Sequence, residues 1–332
     1  MKHSYLSTFA SGFQEFIEKE LRRHVSDIDI LKVLDGAIFY RTKSDWNRMR
    51  QMSMFNNSFE VLMDFKDKGI DGMLRESMDF DFSKLRSMKI EKGTFRIITS
   101  KENQLISADK DKIRELEGKI MHTGLKLNRS KPGTEIWILQ RSEGIGFFMI
   151  RITKHKDYGK ILQKGELRPD LSAILCLMSR PSIEDVFLDP FCGYGAIAIA
   201  RSMMPYRKII AIDNDSGKID FVKQKIASKK NFQIFSSDSM QLEKIRDASV
   251  DKIVTDPPWG IFDNSPVDKL YENMVQEFYR IVRPNGVIVI LTAQKELMDS
   301  LLSRMKGKLL LEKRYDVLVS GKKAAAYSVK RI

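Results

Sequence analysis

DVFLDPFCGYGAIAIAR, residues 185–201, opens as a short apolar run, closes it on an acid, turns through two glycines one residue apart, and goes on in helix-forming residues. A strand that hands into a helix through a glycine turn is the building unit of a parallel sheet covered on both faces. The pattern repeats downstream. KIIAID at 208–213 predicts a second strand, with a helix over Ser216–Ser228 behind it. FQIFSSD and DKIVTD supply the third and fourth, ending near Ser236 and Asp256. A helix over Lys269–Val282 is stopped by Pro284 and an Asn285-Gly286 turn, GVIVILT at 286–292 makes a fifth strand, and a last helix covers Lys295–Met305. LLLEKRYDVL and AAAYSVKRI flank Ser320-Gly321-Lys322-Lys323 as a closing hairpin, which brings the sheet to seven strands.

Toward the N-terminus the periodicity loosens. A helix is expected over Gly12–His24, then scattered short strands, then a helix over Asp109–Met121. TEIWIL at 134–139 and GFFMIRI at 146–152 are apolar runs separated by a short polar turn, so they pair antiparallel. This is an α+β pattern. HKDYGKILQKGELRP at 155–169 is polar and basic and ends in a proline suited to the first turn of a helix over Asp170–Ser179. The chain is therefore read as two domains, residues 1–160 and residues 161–332, in keeping with domains of roughly 100 to 200 residues.

Lys and Arg number 57 against 44 Asp and Glu, a formal charge of +13 that favours a polyanionic partner. No apolar run approaches the roughly 20 residues of a membrane span, and the N-terminal stretch lacks the apolar core of a leader, so no membrane association and a cytoplasmic location are expected. Cys176 and Cys192 have no Cys or His partners at metal-ligand spacing; they are read as reduced thiols, and no metal is expected.

Gly193 and Gly195 sit where ligands bind in such sheets, at the carboxyl edge, and a missing side chain lets a ligand approach the backbone. Asp213 ends the second strand, suited to ribose hydroxyls, and Asp238 follows the third, suited to an adenine amino group. A dinucleotide is the rival ligand. Against it, Ala198 stands where the third glycine of G-x-G-x-x-G belongs, and Asp189 before the turn points to a cation rather than a pyrophosphate. The positive methionine portion of S-adenosylmethionine suits that carboxylate. A plain tight turn would explain the glycines alone, but not three acidic strand ends.

TDPPWG at 255–260 is the most specific signal in the chain. Two prolines stiffen the loop and remove two backbone donors, leaving acceptors. An exocyclic amine can donate to Asp256 and to the Pro257 carbonyl while Trp259 stacks on the base that carries it. Positioning then supplies most of the catalysis.

These residues resemble class I methyltransferases that act on amino nitrogens, whose acceptor motif is [D/N/S]-P-P-[Y/F/W]. The resemblance implies a Rossmann-like, seven-stranded, mostly parallel sheet with one reversed strand. It assigns Asp189, Phe191, Gly193, Gly195, Asp213, Asn214, Asp238 and Ser239 to S-adenosylmethionine, and Asp256, Pro257, Pro258 and Trp259 to catalysis. The stretches YLSTFASGFQEFIEKEL, LNRSKPGTEIWIL and GELRPDLSAILCLMS look similar to THUMP-containing tRNA guanine-N2 methyltransferases. That implies a THUMP-like RNA-binding domain in front, guanine N2 as the methyl acceptor and RNA, most of all tRNA, as the partner. An rRNA or DNA amino-methyltransferase, or a catalytically silent RNA-binding scaffold, stay open as alternatives. Arg129, Lys131, Arg141, Arg151, Lys154, Lys156 and Lys160 are candidates for phosphate contact, though most are expected to be ordinary surface charges; Trp137 is expected in the core, and His122 and His155 as plain structural residues.

Overall fold

The loosely patterned front half forms one broad sheet in the computed structural model, which describes residues 2–88, 90, 93–102, 104–153, 161–237, 242–260 and 267–332. Its strands are β1 (His3–Thr8), β2 (Asp29–Leu34), β3 (Ala37–Thr42), β4 (Asn57–Lys66), β5 (Thr94–Lys101), β6 (Gln104–Leu105), β7 (Lys126–Leu127), β8 (Thr134–Gln140) and β9 (Ile145–Arg151). They run in the order β2-β3-β1-β4-β9-β8-β5-β6, with β7 beside β5. The helices of this part are α1 (Gln14–His24), α2 (Trp46–Arg50), α3 (Ile70–Ser77) and α4 (Lys110–Met121). The last starts where predicted because the Asp109 carboxylate accepts the free N–H groups of Asp111 and Lys112. Phe148 packs with Leu74, Leu116 and Ile120 from α3 and α4, whereas its neighbour Phe147 packs with Leu6, Phe39 and Phe59. Adjacent residues of a strand point to opposite faces, so the sheet buries both. Trp137 is half-buried against the second cluster, its ring edge-on to Phe59.

Two arginines named above as candidates for phosphate contact are structural instead. Arg151 is buried and donates to the Glu135 carboxylate at 2.9 Å, and Arg96 holds the other oxygen of that carboxylate. Arg141 is buried, forks onto Glu143 and donates to the Asp35 carbonyl at 2.8 Å. The Glu135 carboxylate, buried in the sheet, needs a cation beside it, which Arg151 and Arg96 supply, whereas in the second pair the buried charge is the Arg141 guanidinium and Glu143 answers it. Arg129 remains exposed but is paired with Glu117 at 2.7 Å. Lys154, His155, Lys156 and Lys160 lie outside the described residues.

Contacts divide the chain into two units, Met1–Phe9 with Gln14–Lys156, and Ala10–Phe13 with Asp157–Ile332. The second unit contains α5 (Pro169–Met178), β10 (Val186–Asp189), α6 (Ala196–Arg201), β11 (Lys208–Asp213), α7 (Ser216–Ile226), β12 (Phe232–Ser236), β13 (Val250–Thr255), α8 (Asp268–Ile281), β14 (Val282–Thr292), α9 (Lys295–Arg304), β15 (Leu309–Val319) and β16 (Lys322–Arg331). The sheet order is β12-β11-β10-β13-β14-β16-β15, and β16 alone is reversed, antiparallel to both neighbours. α8 and α9 close one core on it, with Phe278 and Met298 against Ile253 and Ile288.

Three boundaries differ from expectation. The Asn285-Gly286 turn lies inside β14 rather than before it: Val250 pairs with Val282 and Lys252 with Val287, so the intervening residues form a bulge, with Asn285 at φ +65°. The closing hairpin turns in two residues, Ser320 and Gly321, both at positive φ, and Lys322 and Lys323 belong to the strand. Gly12 precedes α1 instead of starting it; it lies so close to the Asp316 carbonyl that a Cβ would sit 2.1 Å from that oxygen.

Candidate active site

β11, β10 and β13 are parallel neighbours, so their carboxyl ends share one edge of the sheet. That edge carries Asp213 at the end of β11, Asp189 at the end of β10 and Asp256 directly after β13. Asp189 is completely buried. Its Oδ1 accepts from the Thr255 hydroxyl at 3.2 Å, while Oδ2 has no hydrogen-bond partner. Burial above all, then the negative charges of Asp213 and Asp256, pushes its carboxyl well above the usual range, against the hydrogen bonds from Thr255 and the Phe191 backbone. A buried acid with an unanswered oxygen and two acidic neighbours calls for a positive group.

Asp213 is almost buried and accepts the backbone N–H of Gly193 at 2.8 Å and of Asp215 at 3.0 Å, so it ties the first two loops together. The two glycines divide their labour. Gly193 stands at φ +51° with open space where a Cβ would lie, which leaves its backbone free for a ligand to approach. Gly195 stands at φ +83°, and a Cβ there would be 2.8 Å from Val222 of α7, so its role is packing. Phe191 leans on the core beneath the turn, and Asn214 is exposed, its carbonyl 3.4 Å from the Ser236 hydroxyl. Asp238 and Ser239 lie outside the described residues. Cys192 is buried, and its thiol is pushed up by that burial, which leaves it unreactive. The unanswered Asp189 oxygen, the converging acids and the open face of Gly193 fit a cationic nucleoside such as S-adenosylmethionine.

In the acceptor loop the Trp259 indole donates to Asp256 Oδ1 at 2.9 Å. One carboxylate oxygen is thereby held in place. Desolvation pushes the Asp256 carboxyl up to about 7, against the lowering effect of the indole bond. Four residues that sequence reading passed over complete the frame: Thr255, and Tyr271, Thr292 and Gln294. Tyr271 Oη lies 3.2 Å from the Pro258 carbonyl and 2.6 Å from Thr292 Oγ1, and the Gln294 amide donates to the Trp259 carbonyl. Thr292 was findable in principle, since it ends the strand beside β13; nothing in the sequence marks Tyr271.

Residues 156–322, half of the chain, match the RMKL-like methyltransferase domain family. A tRNA (guanine(10)-N2)-dimethyltransferase of Methanothermobacter thermautotrophicus is 26% identical over 193 residues, 54% of this chain and 56% of that one. Its counterpart in Methanocaldococcus jannaschii is 25% identical over 278 residues, 73% of this chain and 74% of that one. The mouse tRNA (guanine(6)-N(2))-methyltransferase THUMP3 is 31% identical over 182 residues, half of this chain and 36% of the mouse protein. The chain thus spans a little over half the length of the first relative and about a third of the mouse one. TrmN from Thermus thermophilus shares the fold over essentially both whole chains, at a TM-score of 0.78 and 16% identity, and a possible methylase from Clostridium difficile 630 does so at 0.75 and 17%. With a glycine turn, acidic strand ends and a DPPW loop on one sheet edge and a family match across that whole region, the chain belongs to the RMKL-like methyltransferase domain family.

Proposed function

We propose that the protein transfers a methyl group from S-adenosylmethionine to the exocyclic N2 of a guanosine in tRNA. The observation that carries this reading is the DPPW loop, where Asp256 is aimed by the Trp259 indole beside the acidic, glycine-lined edge. The names of the three relatives support the choice of guanine N2 and tRNA. Asp189 and Asp213 hold the cofactor, with the Gly193 backbone open to it, and bound S-adenosylmethionine supplies an electrophilic methyl. The free oxygen of Asp256 and the Pro257 carbonyl accept the two N–H bonds of the amine and turn its lone pair toward that methyl. Asp256 takes the proton that nitrogen sheds once it is alkylated, which a carboxyl titrating near neutrality does readily. Trp259 stacks on the base. The front unit, with the net positive charge of the chain, grips the RNA in the manner of a THUMP-like domain, and the protein works in the cytoplasm. Among the described residues no helix is long and apolar enough to cross a membrane.

The test is incubation with labelled S-adenosylmethionine and unmodified bulk tRNA, followed by nucleoside mass spectrometry. Labelled N2-methylguanosine that vanishes with Asp256→Ala is expected. Cofactor binding without label in tRNA would sink the tRNA assignment and turn attention to rRNA, then DNA.

A further inference from the structure

We propose that Tyr271, Thr292 and Gln294 are positioning residues for methyl transfer, forming a one-way hydrogen-bond relay that holds the Pro258 and Trp259 carbonyls back and leaves Asp256 and the Pro257 carbonyl as the acceptors for the target amine. The proposal rests on the function proposed above and adds to it residues that act through the loop after β13.

The direction of the relay follows from which groups can donate. A carbonyl only accepts, so the single Tyr271 hydroxyl proton points to Pro258 O, 3.2 Å away. The 2.6 Å contact between Tyr271 and Thr292 must then be a donation from the threonine. Thr292 Oγ1 in turn accepts the backbone N–H of Gln294 at 2.9 Å. The chain therefore runs from Gln294 N–H through Thr292 and Tyr271 to the Pro258 carbonyl. A second strand of it runs from the Gln294 side-chain amide to the Trp259 carbonyl. Tyr271 and Thr292 are both completely buried, so water does not compete for the bond between them, and each hydroxyl would be stranded if its partner were removed.

The relay draws on three separate elements: Tyr271 lies in the first turn of α8, Thr292 ends β14, and Gln294 precedes α9. All of them converge on a loop that follows β13. The loop has little means of holding itself, because Pro257 and Pro258 have no N–H and the Trp259 indole is spent on Asp256. With the two downstream carbonyls engaged, no described residue donates to the Pro257 carbonyl. The loop is thus sorted into a half that the protein holds and a half that is offered. A displacement of about 1 Å there costs roughly a hundredfold in rate while leaving ligand binding largely intact.

Tyr271→Phe keeps the ring and deletes the proton that reaches Pro258. The expected result is a kcat lower by about 10- to 100-fold with the S-adenosylmethionine Kd little changed and the melting temperature lowered only by the few degrees that a stranded Thr292 hydroxyl costs. Thr292→Val should match it, Thr292→Ser should restore most of the rate, and the Tyr271→Phe/Thr292→Val double variant should be no worse than either alone, as members of one chain are not additive. A full rate in Tyr271→Phe, or a loss of rate in step with cofactor affinity and melting temperature, overturns the relay. Loop order is also read without any substrate. In protein labelled with 5-fluorotryptophan, whose Trp259 line is identified by its loss in Trp259→Phe, Tyr271→Phe should shift or broaden that line. An unmoved Trp259 line refutes the relay whatever RNA the enzyme uses, whereas a moved line with no methylation of tRNA by the wild type refutes only the choice of substrate.

Discussion

Asp256→Asn should make the protein more stable at neutral pH while abolishing methyl transfer. The folded carboxyl titrates at about 7, raised by desolvation, against an ordinary value of 3.8. An acid whose pKa is raised by folding leaves stability intact below its unfolded pKa, erodes it as pH climbs from about 4 to about 7, and costs a constant amount above that. Three pH units at 1.36 kcal/mol each set a ceiling of about 4 kcal/mol. Asp256 keeps some contact with solvent, so about half of that, roughly 2 kcal/mol, is the expected gain. Asparagine keeps the shape and the oxygen that accepts the Trp259 indole, so no other contact is sacrificed. For a unit of this size the gain corresponds to about 4–8 °C in melting temperature. Thermal melts followed by circular dichroism at pH 8 and pH 5 check it: the gap between the Asp256→Asn variant and wild type should be widest at pH 8 and shrink to under half at pH 5. A gap that does not change with pH, or a variant that melts lower than wild type at pH 8, would refute the placement of a desolvated carboxyl in this loop.

Asp189→Asn should fold and melt no lower than wild type at pH 8, yet bind S-adenosylmethionine at least about tenfold more weakly by calorimetry, because the buried negative charge that answers the cation is gone; unchanged affinity would place the positive group elsewhere. Gly195→Ala combines a left-handed backbone with a Cβ 2.8 Å from buried Val222 and should cost about 2–4 kcal/mol, seen as a lower denaturation midpoint. Gly193→Ala, whose Cβ would enter open space, should cost about 1–2 kcal/mol of left-handed strain and weaken cofactor binding more than folding. Arg151→Met strips the buried Glu135 of one of its two cations and should destabilise the protein by about 2–4 kcal/mol in urea melts, without a change in the salt dependence of RNA binding expected of a lost phosphate contact.

The site was legible where chemistry depends on residue type in a short stretch. DPFCGYG and TDPPWG each announce themselves, and their strands form at 186–189 and 250–255, close to where the apolar runs predicted them. The front half was harder. β4 carries a bulge between Val61 and Met63, and β2 is paired along a single edge, so neither shows clean alternation, and nine strands read as scattered pieces. Likewise the bulge in β14 hides a strand start behind a proline and an Asn-Gly pair that read as a turn.

By itself the sequence determined the alternation of strands and helices, the closing hairpin, the acid at each of the first two strand ends and the proline-stiffened DPPW loop, because each is written in contiguous residues whose conformational and chemical preferences are local. Only the tertiary structure decided which charges pair and which carbonyls are held. It turned Arg141 and Arg151 from candidate phosphate contacts into partners of Glu143 and Glu135, separated the open Gly193 from the packed Gly195, and brought Tyr271, Thr292 and Gln294 onto the loop after β13. Burial and hydrogen-bond geometry are set by residues distant in the chain, and until the sheet assembles no local pattern says which polar group will lose its water and which neighbour will replace it.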